Sequence, residues 1–233
     1  MPKLVNALKS QVGRKIMTGI TGVGLMLFLV GHLAGNLSIF GSSDAFNLYT
    51  YKLESLGPLL YVIEAGLAFF FLYHTVLGVS IWLGKRKARP GRYETYKTKG
   101  GPSHQSIASR SMIITGSIVL IFLVLHIIHF KFGAQYTTEI AGIGEARDLR
   151  KLVIEEFSKP LIAWSYVGVL ALMILHLSHG AWSAFTSLGM KNKETSKKVQ
   201  LGAYVFAIVL MLGFIFIPLY ILFAGGNGSL ISY

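Results

Sequence analysis

The sequence predicts an all-α integral membrane protein, a five-transmembrane-helix bundle with its N-terminus in the cytoplasm. Three observations carry this. Of 233 residues, 53% are hydrophobic and only 14% are charged, against about 25% charged in soluble domains. Five apolar runs, at 16–40, 59–84, 111–130, 161–190 and 199–224, are each long enough to cross about 30 Å of hydrocarbon. The basic residues, finally, fall mostly on one side of those runs.

Four of the runs hold no charged residue, and the second holds one, Glu64. Before the first run stand Lys3, Lys9, Arg14 and Lys15. Residues 85–110 hold eight basic side chains, Arg86 and Arg110 among them, and residues 191–198 hold four. Sixteen of the 22 basic residues thus share a side. The positive-inside rule makes that side cytoplasmic and puts the C-terminus outside. The net charge of +12 is therefore a topology signal, not a nucleic-acid signal. No cleaved signal peptide is expected, because residues 1–15 are polar and the next run is too long for a signal core. A bundle of this size leaves no room for a second core, so one domain over 1–233 is expected.

The chain has no cysteine. That excludes disulfides, iron–sulfur ligation, thiolate zinc sites and covalent c-type haem. Any metal must be held by His, Met, Tyr or carboxylate.

Between the runs, the sequence of residues 145–157 puts Leu149, Leu152, Val153 and Phe157 on one helical face. It reads as an amphipathic helix lying on the outer surface. Residues 2–14 read as an interfacial helix. Residues 85–110, rich in Gly, Pro and Lys, read as a docking loop or a solvated connector. Pro218 is expected to kink the fifth span.

Six of the seven histidines lie inside apolar runs: His32, His74, His126, His129, His176 and His179. Ionisable groups in hydrocarbon are costly and point to function. The plain alternative, a neutral imidazole bonding the next helix, suits one histidine better than six. At a rise of ~1.5 Å per residue, His32 lies about 26 Å beyond Lys15 and His126 about 24 Å beyond Arg110. Those two share a depth. His74 lies about 17 Å before Lys85, and either His176 or His179 matches it on the fourth span. Four helices thus supply two histidine pairs at two depths, as bis-imidazole ligation of two stacked b-type haems requires. Gly78 and Gly180 each follow a histidine by one turn, where a missing side chain lets a flat ring approach; taken alone, ordinary helix packing explains such glycines better.

These residues resemble a known family. It is the five-helix, di-haem cytochrome b membrane anchor of succinate dehydrogenases and quinol:fumarate reductases, the succinate:quinone oxidoreductases. The likeness rests on Gly31-His32-Leu-Ala-Gly-Asn36, Tyr73-His74-Thr-Val-Leu-Gly78-Val, Leu125-His126 and His176-Leu-Ser-His-Gly180-Ala-Trp-Ser183. It covers nearly the whole chain, including the histidine-free fifth span. The resemblance implies axial ligands His32 with His126 for an outer, distal haem b, and His74 with His176 for an inner, proximal one. It implies a flavoprotein and an iron–sulfur partner on the cytoplasmic face, and a membrane quinone, menaquinone in the di-haem class. It also implies a bacterial cytoplasmic membrane, with room for a higher oligomer of the complex. No nucleic acid is expected. Some fumarate reductases of this type carry a glutamate two residues before the fourth ligand, for a compensating proton path. Here that residue is Ile174, so the resemblance does not extend to such a path.

Glu64, Asn36 and His129 are the quinone-site candidates, since all three are expected near the distal haem and can exchange protons or hydrogen bonds. A site at the inner end, near His104, Ser106 and Arg110, is the rival. Arg14, Lys15, Arg86 and Arg110 are candidates for haem propionates or partner docking. The first alternative function is a stand-alone transmembrane di-haem cytochrome b reductase. A histidine-lined transporter would need more buried acids and broken helices than this chain offers.

Overall fold

The computed structural model describes residues 2–42, 44–88, 106–190, 192 and 194–225. Most of them are helical. A short helix α1 (Pro2–Lys9) precedes α2 (Gln11–Leu37). A 3₁₀ turn (Ser38–Phe40) and α3 (Ala45–Glu54) lead to α4 (Pro58–Lys87). After α5 (Ile107–Phe130) come an antiparallel hairpin of β1 (Thr137–Ile140) and β2 (Gly144–Arg147), then α6 (Leu149–Phe157), α7 (Pro160–Ser187) and α8 (Ser196–Gly225). Five segments are long and apolar enough to cross a membrane: Gln11–Phe40, Pro58–Lys87, Ile107–Phe130, Pro160–Ser187 and Ser196–Ala224. They coincide with the five apolar runs. Leu27, Val62, Leu72, Val209 and Phe223 are well exposed along them, as side chains that meet lipid can be.

The helix starts follow local chemistry. Ser10 interrupts the expected 2–14 helix. Its hydroxyl accepts from the Gly13 N–H at 3.0 Å, so Ser10 caps α2 and residues 11–14 belong to the first spanning helix. Pro58 and Pro160 open α4 and α7, where a missing N–H costs nothing. Pro218 lies inside α8 and is fully buried. Residues 89–105 of the basic loop, His104 included, lie outside the described residues, as do Lys191 and Lys193.

The expected amphipathic helix exists but is shorter and packed differently. It starts at Leu149, because Asp148 caps it by accepting from the Lys151 N–H at 3.0 Å. Glu145, Ala146 and Arg147 are strand, paired with residues 137–139. Gly142 and Gly144, at φ +77° and +94°, make the turn that folds the strands together. The apolar face of α6 does not lie open at a surface: Leu152, Val153, Ile154 and Phe157 are buried. Phe157 stacks near Phe130 of α5 and Tyr166 of α7, with ring centres 5.5 and 5.0 Å away. Helix α3, which hydropathy does not foretell, holds α6 through Asn47. The Asn47 amide donates to Asp148 Oδ1 at 2.7 Å and its carbonyl accepts from the Arg150 N–H at 3.0 Å.

Two compact units divide the chain. The first comprises Met1–Leu27, Gly66–Ser117 and Met173–Ile208. The second comprises Phe28–Ala65, Ile118–Leu172 and Val209–Tyr233. Each long helix gives one stretch to each unit, and each unit receives one set of intramembrane histidines.

Candidate cofactor-binding histidine pairs

In the first unit His74 stands on α4, and His176 and His179 on α7. Thr21 of α2 places its hydroxyl 3.1 Å from His74 Nδ1. Thr115 of α5 places its own 3.2 Å from His176 Nδ1. Each threonine also donates to the carbonyl four residues back, Thr21 to Met17 at 2.9 Å and Thr115 to Ser111 at 3.0 Å. Both threonines are buried. A glycine follows each of them. A methyl group on Gly22 would stand 3.4 Å from His74 Cε1, and one on Gly116 would stand 3.3 Å from His176 Cε1. Each imidazole therefore lies against a Thr-Gly step of a neighbouring helix. Interhelical hydrogen bonds in membranes contribute about 0.6 kcal/mol on average, so these contacts orient the rings more than they hold the bundle.

His74 lies within electrostatic reach of His176. His179 turns elsewhere, with its ring 5.7 Å from Trp182 and within electrostatic reach of Lys85. Gly66 and Gly78 bracket His74 on α4 as Gly168 and Gly180 bracket His176 on α7. A Cβ on Gly78 or Gly180 would meet nothing within 4 Å, so the backbone beside both histidines is open to a flat ring.

In the second unit His32 of α2 faces His126 of α5. Their ring centres are 5.9 Å apart and their planes cross at 89°. Phe28 and Phe122, each four residues before its histidine, stack on the two rings at 5.3 and 5.8 Å. Phe214 of α8 comes within 5.8 Å of His32, so the histidine-free helix contributes to this pair as well as to packing. Tyr166 lies behind His126, its hydroxyl 3.4 Å from Nδ1.

The remaining candidates divide. Asn36 donates to the carbonyl of His32, one turn back, at 2.7 Å. The Nδ1 of His129 is buried and has no hydrogen-bond partner among the described residues. Glu64, six residues into α4, pairs with Lys131, which directly follows α5 and stands two residues after His129. At the same end of α5, Arg147 donates to the Phe130 carbonyl at 2.8 Å, and its Nε, like that of Arg150, is buried without an acceptor. The basic candidates lie in the first unit, Arg14 and Lys15 in the first turn and a half of α2, Arg110 at the start of α5 and Arg86 at the end of α4. Arg86 lies over the Trp82 ring, 4.8 Å from its centre. Lys15, Arg86 and Arg110 are exposed and Arg14 is half-buried.

Among the described residues no group of three or more His, Cys, Asp or Glu side chains could hold a metal ion. The aromatic rings beside His32 and His126, and the open glycine backbone beside His74 and His176, leave room for a flat ligand that brings its own equatorial donors.

Comparison with family models, curated proteins and solved structures found no match to this chain.

Thr21, Thr115, Tyr166, Phe214 and Lys131 are site residues that hydropathy and histidine spacing do not reveal. One signal was present. Ile20-Thr-Gly22, Phe28-Leu-Val30 and His32 recur in the same spacing as Ile114-Thr-Gly116, Phe122-Leu-Val124 and His126. An internal repeat that keeps a threonine eleven positions before each histidine marks it as more than a packing residue.

Proposed function

We propose that this chain is the membrane anchor and electron-transfer cytochrome b subunit of a succinate:quinone oxidoreductase. One observation carries the reading: four helices supply the histidines as two sets, His32 with His126, whose rings meet, and His74 with His176, each set within its own compact unit. When bound, two haems b supply one-electron carriers between an iron–sulfur partner and a membrane quinone. The histidines present imidazoles from facing helices, and Phe28, Phe122 and Phe214 keep water from the distal pair.

The N-terminal side is cytoplasmic, by the basic residues of α2, α4 and α5 and the loops joined to them. There Arg14, Lys15, Arg86 and Arg110 meet propionates of the proximal haem or the iron–sulfur partner, which carries the electrons of a flavoprotein. No dicarboxylate chemistry belongs to this chain. The membrane is the bacterial cytoplasmic membrane. The quinone, menaquinone in the di-haem class, binds near the distal pair. Three features support that site: Glu64 with its exposed partner Lys131, the unanswered Nδ1 of His129, and the unanswered Nε groups of Arg147 and Arg150. Glu64 and His129 exchange the protons that accompany two-electron quinone chemistry, and Asn36 stands one turn beyond His32.

The test is a reduced-minus-oxidised spectrum with haem quantification on the purified chain, joined to identification of co-purifying subunits. Two non-covalent haems b with a flavoprotein and an iron–sulfur protein are expected. Zero or one haem in fully loaded membranes would refute the pairing. Two haems with no soluble partners would mean a stand-alone di-haem reductase.

A further inference from the structure

We infer that Thr21 and Thr115 are positioning residues that hold His74 and His176 in the Nδ1–H tautomer. Each imidazole then offers its Nε2 lone pair to iron between α4 and α7. The inference rests on the di-haem reading.

The argument is one of hydrogen counting. A threonine hydroxyl has one hydrogen and two lone pairs. In both cases the hydrogen already has an acceptor, the carbonyl of Met17 at 2.9 Å or of Ser111 at 3.0 Å. What remains to face the histidine is a lone pair. With the hydroxyl hydrogen so placed, the histidine nitrogen at 3.1 or 3.2 Å is the one that carries hydrogen. With Nδ1 protonated in a neutral ring, Nε2 is bare, which is the state a metal ligand needs. The glycine after each threonine lets the ring settle against the helix, close enough that an added methyl group would reach Cε1 at 3.4 or 3.3 Å. The same device occurs twice, on two different helices.

The other pair is held otherwise. Behind His126 stands a phenol at 3.4 Å, not a back-bonded threonine. His179 has Trp182 for a neighbour and no threonine contact. The threonines thus distinguish His176 from His179 and the proximal pair from the distal one. A ligand that donates from its far nitrogen is a more basic ligand. It favours ferric over ferrous iron and lowers the potential of its own haem.

The experiment is a spectroelectrochemical titration of the intact complex, with ferric low-spin resonance spectra alongside. Thr21→Val and Thr115→Val keep the shape and remove the hydroxyl, and Thr→Ser restores it. Each Val variant should raise the potential of the haem that His74→Ala removes, and the double variant should raise it further. The expected size is up to about tenfold in the reduction equilibrium, about 59 mV for one electron. The other haem should not move, and the Ser variants should return to the parent value. A Val variant that loses this haem while its Ser counterpart keeps it supports the same conclusion. Two retained haems with unmoved potentials in both Val variants overturn it, as does loss of the haem in Val and Ser variants alike. A parent chain without haem fails the di-haem reading itself, a result that is distinguishable from either.

Discussion

The carboxylate of Glu64 on α4 is paired with the ammonium of Lys131, the residue that follows α5. The two side chains keep 35% and 41% of their exposure, so the carboxylate stays open to a further partner. Glu64→Gln should abolish quinone-linked turnover while leaving both haem spectra and artificial-acceptor activity intact. Unchanged quinone turnover would remove Glu64 from the site and favour the inner location near Ser106 and Arg110.

Each histidine pair should behave as a unit. His32→Ala or His126→Ala should delete one haem, and His74→Ala or His176→Ala the other. His129→Ala and His179→Ala should retain both, since the hydroxyl of Thr115 seats His176 and the ring of His32 meets His126. Pyridine haemochrome quantification and difference spectra read this directly. Loss of a haem in His179→Ala, with none lost in His176→Ala, would reverse the assignment on α7.

Neutralising the basic residues one at a time separates docking from topology. Arg14→Gln, Lys15→Gln, Arg86→Gln and Arg110→Gln should each shift the proximal haem potential or weaken retention of the iron–sulfur partner on gel filtration. If all four leave both quantities alone, these charges only orient the chain.

Asn47 bonds both the cap residue of α6 and its first turn. Asn47→Ala removes one of the donors to the half-buried Asp148 carboxylate and the acceptor of the Arg150 N–H, a cost of about 0.5–1.5 kcal/mol for each bond. The variant should fall in thermal stability and become open to proteases around residues 141–144. Haem content should stay at the parent level. A melting temperature equal to that of the parent would show that α3 does not hold α6.

Hydropathy made the five long helices legible, because lipid-facing side chains have to be apolar on every turn. It placed their ends less well. Helix α2 begins at Gln11 and α8 at Ser196, before the apolar runs start, since caps and polar first turns lie outside hydrocarbon. The hairpin was hidden because four-residue strands such as Gly144–Arg147 carry no periodic pattern and depend on the turn at Gly142. The facing of His32 and His126 was foreshadowed by equal depth. The seats of His74 and His176 were not, because a threonine in an apolar helix looks like any small packing residue. The latch of Lys131 on Glu64 joins two helices whose charges, read along the chain, have no reason to meet.

The seat of Phe157 between Phe130 and Tyr166 has a consequence for how the chain is made. Its two walls come from α5, synthesised before it, and from α7, synthesised after it. While α7 is still in the ribosome, half of that seat does not exist, and the segment between the two spans cannot be sealed. Its protection should appear as a late, discrete step in biogenesis. Ribosome-stalled chains long enough for residues 141–144 to have emerged while α7 is still within the ribosome should be cleaved readily there, and chains long enough to have inserted α7 should resist.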